Sequence, residues 1–188
     1  MIGEGERDEA PMLFIGEEVG TGPNFDVAVD PLEGTTLCAK NLPGAITVIA
    51  IAERGTLLHA PDAYMEKIAV GYMGIGGAPE GVLAAAALRC IGGQMQARLV
   101  LDKLEAKARA ADMGIVDPRK KYQIEDMVSS DCLFAASGVT DGSMLRGVRF
   151  RKVIIETETL VMRSATGTLR RVKAEHHQRN KFRLSWKH

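Results

Sequence analysis

Hydrophobic and polar positions along this chain follow two rhythms, one of period two and one helical. Met12–Ile15 and Asp26–Asp30 are short apolar or alternating runs bounded by Gly and Pro, and both predict strands. Ala45–Glu53 is a near-continuous Ile/Val/Ala run, the pattern of a strand buried on both faces. Arg54-Gly55 predicts a tight turn into Thr56–Ala60 and hence a hairpin, and Tyr64–Val70 predicts a further strand after the Pro61-Asp62 break. Gly71–Gly77 is glycine-rich and precedes a helical pattern. Pro79 suits the first turn of that helix, Val82–Ile91 is apolar nearly all round, and Gly92-Gly93 stops it. Asp102–Met113 predicts an exposed helix ended by Gly114. Asp131–Ala136, Arg151–Arg163 and Thr168–Ala174 predict strands, Ile124–Val128 fits either class, and His176–His188 reads as a polar basic tail.

Composition narrows the class. The 188 residues are 46% hydrophobic and 26% charged, which excludes a disordered tail, a collagen-like rod and a disulfide-dense mini-protein. The longest apolar run, Ala45–Ala52, falls far short of the roughly 20 residues of a membrane helix. With no basic-then-apolar leader, the expected location is cytoplasmic, and Cys38, Cys90 and Cys132 read as reduced core thiols. The net charge of zero hides a segregation: residues 1–36 carry −8, residues 146–188 carry +9 and the middle −1. Such contrast implies a cation site, a phosphate site or mutual pairing.

The sharpest local feature is Phe25–Thr36. A strand delivers Asp30 at its carboxyl end, Pro31 interrupts the ladder, and the chain turns. Asp30 and Glu33 can then aim two carboxylates at one hard cation, while Gly34 lets a backbone N–H approach an anion beside the Thr35 hydroxyl. Metal, anion and hydroxyl together describe metal-assisted attack of water on a phosphate ester, although the spacing fits a polar strand-to-turn junction equally well. Gly3-Glu4-Gly5-Glu6 reads as a solvated acidic turn, and Gly74–Gly81 as glycines at a helix start with Glu80 as a first-turn acid. The four histidines make no metal spacing, His176-His177 reads as a surface pair, and no nucleophile elbow is present.

Taken together, Ile2–Leu13, Val29–Thr36, His59–Lys67, Gly74–Gly81 and Gly138-Val139-Thr140-Asp141-Gly142 resemble class II fructose-1,6-bisphosphatases. These form the bacterial branch of the lithium-sensitive sugar-phosphatase superfamily. The resemblance implies an α/β fold, a layered αβαβα sandwich, here incomplete. It implies removal of the 1-phosphate of fructose 1,6-bisphosphate with Mn²⁺ or Mg²⁺, in gluconeogenesis. By position, Glu4 resembles a ligand of a first cation, and Asp30, Glu33 and Glu80 resemble ligands of a second. Glu33-Gly34-Thr35 resembles the stretch that holds the scissile phosphate, with Glu33 and Thr35 as catalytic residues, and Tyr64 and Gly77 resemble substrate contacts.

The same resemblance marks what departs from it. Val70-Gly71 runs at once into Tyr72-Met73-Gly74, where the family carries a long stretch with a P-R-H and a D-G-D element that contact substrate. A D-x-N-x-x-D element expected before the first strand is also missing. The implied division is residues 1–71, binding metal and phosphate, and residues 72–188, a second αβ part. The expected partners are a sugar bisphosphate and a second copy of the chain, with no nucleic acid and no membrane. An internally deleted remnant with impaired activity is the alternative, and an interaction module in basic residues 146–188 is a third.

Overall fold

A computed structural model of the chain describes residues 16–69 and 72–177. The expected strand Met12–Ile15 and Glu4 lie outside the described residues. The elements, in chain order, are β1 (Phe25–Glu33), α1 (Thr35–Ala39), β2 (Ile46–Glu53), β3 (Tyr64–Ala69), β4 (Tyr72–Gly77) and α2 (Ala78–Ile91). There follow β5 (Met95–Val100), α3 (Leu104–Asp112), β6 (Lys121–Gln123), α4 (Ile124–Met127), β7 (Cys132–Gly138), β8 (Arg149–Arg151), β9 (Ile154–Arg163) and β10 (Thr168–His177). The fold is mixed α/β, with one sheet in the order β1-β2-β7-β9-β10, β8 pairing with β9, and a second in the order β4-β3-β5-β6.

The chain forms two compact units. Of the described residues, one comprises 16–30, Ile49–Phe134 and Met162–Leu169; the other comprises Pro31–Val48, Ala135–Val161 and 170–177. In the first unit the four-stranded sheet is antiparallel throughout, with Tyr64 opposite both Gly77 of β4 and Val100 of β5. Helix α2 packs on β3, β4 and β5 and buries Val82, Leu83, Ala85, Ala86 and Cys90, as its apolar periphery predicts. Cys90 Sγ lies 3.8 Å from Cys132 Sγ; both are free thiols in the core, and burial beside Cys132 pushes the Cys90 thiol up to about 12. Cys38 is free but only half-buried, a correction to its reading as core.

The second unit is held by side chains that satisfy loop backbone. Thr140 Oγ1 accepts the Ala45 N–H at 2.9 Å, Asp141 Oδ1 accepts the Gly147 N–H at 2.9 Å, and Glu158 accepts the Arg146 N–H at 2.7 Å. The Gly147 N–H and then Arg149 hold the Asp141 carboxyl below its usual range, while the Arg146 N–H and then Arg171 do the same for Glu158. The Gly138–Gly142 motif is therefore scaffold within this unit. Part of the basic stretch is neutralised inside it, through Arg149–Asp141, Arg151–Glu156 and Arg171–Glu158.

Four expectations change. Strand β1 continues through Pro31 to Glu33, because β1 is an edge strand, where a missing N–H costs no ladder bond. Thr56–Ala60 is not a strand: the Asp26 carboxylate takes the N–H groups of Gly55, Thr56 and Leu57, leaving one isolated bridge from Leu57 to Val128. The run from Arg151 to Arg163 breaks at Lys152, whose φ of 35° turns β8 back onto β9. His176 lies within β10, half-buried and 3.0 Å from Thr157 Oγ1, rather than in a surface pair.

Candidate metal and phosphate site

Strand β1 carries two acids to its carboxyl end. Asp30 is 5% exposed, whereas Glu33, the last residue of the strand, is exposed. Gly34 then adopts φ 86°, a left-handed geometry that L side chains rarely adopt, and a Cβ there would meet Leu37 Cδ1 at 3.1 Å. This turn puts Thr35 at the exposed start of α1. The glycine is needed for the reversal.

Glu80 arrives from α2. The helix starts where the Ala78 N–H donates to the Ala63 carbonyl at 2.8 Å, with Pro79 in its first turn. Gly81 lets it settle on β3, since a Cβ there would stand 2.6 Å from Met65 Sδ, and Met65 is fully buried. At Gly77 a Cβ would overlap the Glu80 carboxylate, which would have to move aside. The glycines of the 74–81 stretch, read from sequence as glycines at a helix start, belong partly to the edge strand β4. Gly77 leaves room for the Glu80 carboxylate and Gly81 for the Met65 side chain.

Within the first unit the structure brings two predicted ligands together: Asp30 and Glu80 each place one oxygen within 4.8 Å of the other, and Glu33 ends the strand that carries Asp30. Oxygen ligands sit about 2.0–2.6 Å from a hard cation, so oxygens sharing one ion lie within about 5 Å of each other. Two carboxylates at that separation repel by about 3 kcal/mol at an effective dielectric near 20. Glu80 Oε2 is buried with no hydrogen-bond partner, an arrangement costly for a carboxylate left without a counter-charge. The donor set and the orphaned oxygen fit a divalent hard cation.

Tyr64 and Gly77, opposite each other across β3 and β4, line one cleft of about 300 Å³ together with Asp62, Asp102, Lys103 and Arg109. Lys67, which the sequence reading did not single out, donates from Nζ to the Gly77 carbonyl at 3.0 Å and so fixes the backbone on which Glu80 rests. Its signal was available: with period two it shares the inward face of β3 with buried Met65, an unusual place for a lysine. Among the described residues no helix is long and apolar enough to cross a membrane.

Comparison with known proteins bears on this geometry. The sequence pattern of the family described as "Bacterial fructose-1,6-bisphosphatase, glpX-encoded" matches in two pieces, residues 1–72 and 71–176. A D-fructose 1,6-bisphosphatase class 2/sedoheptulose 1,7-bisphosphatase of Synechococcus sp. (strain CC9605) is 36% identical over 270 positions, covering 94% of this chain and 81% of the relative. The protein of the same description from Parasynechococcus marenigrum (strain WH8102) is 35% identical with the same coverage, and that of Prochlorococcus marinus (strain MIT 9303) is 34% identical. An alignment of 270 positions exceeds the 188 residues of this chain, so the relatives carry internal residues with no counterpart here. The two matched pieces meet at the Val70-Gly71-Tyr72 junction.

Proposed function

This chain belongs to the glpX-encoded bacterial fructose-1,6-bisphosphatase family, and on that premise we propose that it hydrolyses the 1-phosphate of fructose 1,6-bisphosphate to fructose 6-phosphate and phosphate. The observation that supports the reading is the approach of the Asp30 carboxylate to the orphaned Glu80 oxygen within the first unit. Asp30, Glu33 and Glu80 hold Mn²⁺ or Mg²⁺, with Glu4 as a ligand of a further ion. When bound, such a cation offsets negative charge on the phosphate oxygens and lowers the barrier to attack by water.

The residues of the chain do the rest. The backbone at Gly34 admits the scissile phosphate beside β1, where its close approach needs no side chain. Thr35 Oγ1 and the Glu33 carboxylate position the attacking water in line with the departing sugar oxygen. Tyr64 and Gly77 contact the sugar from the cleft. Lys67 acts indirectly, holding the Gly77 carbonyl and hence the Glu80 carboxylate. In this division, residues 1–71 bind metal and phosphate, and residues 72–188 add Glu80. We infer a cytoplasmic location as well, and sedoheptulose 1,7-bisphosphate, named for the relatives, is a second candidate substrate.

The test is phosphate release from fructose 1,6-bisphosphate with Mn²⁺ or Mg²⁺. Thr35→Ala and Glu80→Ala should each abolish it, and full rate in both would overturn the site assignment. A specific observation favours a second reading, an internally deleted and impaired member: the family match breaks at residues 71–72, in the sequence between β3 and β4. Turnover by the purified chain comparable to that of a full-length relative would dismiss it.

A further inference from the structure

We propose that the cleft beside Tyr64 and Gly77 seats the phosphate that is not cleaved, gripped by Lys103 and Arg109. The inference rests on the phosphatase reading, which supplies a substrate with two phosphates. At about 300 Å³ the cleft is within the range of small-molecule sites. It adjoins the metal cluster through Gly77, which lines the cleft and carries the Glu80 carboxylate against its Cα. One wall is Asp62 to Tyr64 on the approach to β3, and the other is the start of α3.

The α3 wall is built for an anion. Lys103, Ala106 and Arg109 recur every three residues, so they share one helix face, and all three line the cleft. Ala106 is small and leaves room between the two cations. Lys103 caps α3, whose first N–H groups receive no side-chain cap. Neither Lys103 nor Arg109 makes an ion pair with another described residue, in contrast to Arg98, which is paired with Glu66 on β3. An ammonium and a guanidinium converging on one phosphate form charge-assisted hydrogen bonds, bidentate for the arginine. Asp62 and Asp102, on the same cleft, are acceptors suited to sugar hydroxyls.

The probe is fructose 6-phosphate, which keeps only the uncleaved phosphate, titrated calorimetrically into the full metal-free chain. Fructose 6-phosphate should bind and fructose should not. The double variant Lys103→Gln/Arg109→Gln, at exposed positions, should weaken binding at least tenfold at an unchanged melting temperature, and should raise KM for fructose 1,6-bisphosphate with kcat retained. Absence of binding by the wild type, or equal binding by the double variant, would overturn the cleft. Binding that depends on Lys103 and Arg109 without any metal-dependent phosphate release would leave the cleft standing and overturn the phosphatase reading instead.

Discussion

Strands β3 and β4 form one antiparallel pair with two very different ends. At one end Tyr64 faces Gly77, and within a few residues lie the cleft, the Lys67 tether and Glu80. At the other end Ala69 faces Tyr72, beside the junction where the family match breaks. Toward that end Ile68, Met73 and Ile75 share a sheet face and are 52%, 81% and 68% exposed. The chemical end is complete in its local logic, since Gly77 and Gly81 each answer to a neighbour that a side chain would strike. The junction end has apolar side chains without cover, where the relatives carry further residues. The close packing at Gly77 and Gly81 thus stands at one end of a strand pair whose other end lies where the family match breaks.

The largest expected effect falls at the chemical end. Glu80→Gln should lower metal-dependent phosphate release by about 100-fold or more, as loss of a transition-state charge interaction does, and a retained rate would erase the contrast. Gly77→Ala should come next, weakening Mn²⁺ affinity by about tenfold by displacing the Glu80 carboxylate, within the range for residues that orient ligands. Gly81→Ala should destabilise the fold by about 1–3 kcal/mol, because overpacking against Met65 forces α2 off β3; chemical denaturation reads this.

At the junction end, Met73→Thr with Ile75→Thr should raise the temperature at which light scattering detects aggregation, leaving phosphate release unchanged. The smallest effect lies beyond the opposite edge of the sheet. Lys120 first, and then the Gln123 N–H, hold the Asp126 carboxyl below its ordinary range. A carboxylate whose pKa is lowered on folding stabilises above its unfolded value near 4, and that contribution fades as pH falls through the folded value. Asp126→Asn should therefore cost about 0.5 kcal/mol at pH 7 and nothing in strong acid, read from unfolding midpoints across pH.

Much of this was legible before the structure. The apolar periphery of Val82–Ile91 with Pro79 and Gly92 marked α2, and the alternation into Asp30 marked β1, because period and punctuation are local properties. What failed depended on distant partners. Nothing near Thr56 announces that Asp26 takes its backbone N–H groups, and nothing near Tyr72 announces that β3 pairs with it. Asp30, Glu33 and Glu80 were recognisable by family pattern, yet the approach of Glu80 to Asp30 depends on Gly77 and Gly81 admitting α2 to the sheet. Lys67 escaped because its meaning lies in the carbonyl it reaches, ten residues away. The Lys103–Arg109 spacing was visible as an exposed helix face, but only the cleft opposite Tyr64 gives it a purpose.

The central claim is that Asp30, Glu33 and Glu80 hold a divalent cation. Titration of Mn²⁺ into the full chain, followed by electron paramagnetic resonance of the free ion, tests it apart from turnover. The account predicts saturable binding by the wild type that weakens at least tenfold in Glu80→Gln. Equal Mn²⁺ affinity in the two proteins would contradict it.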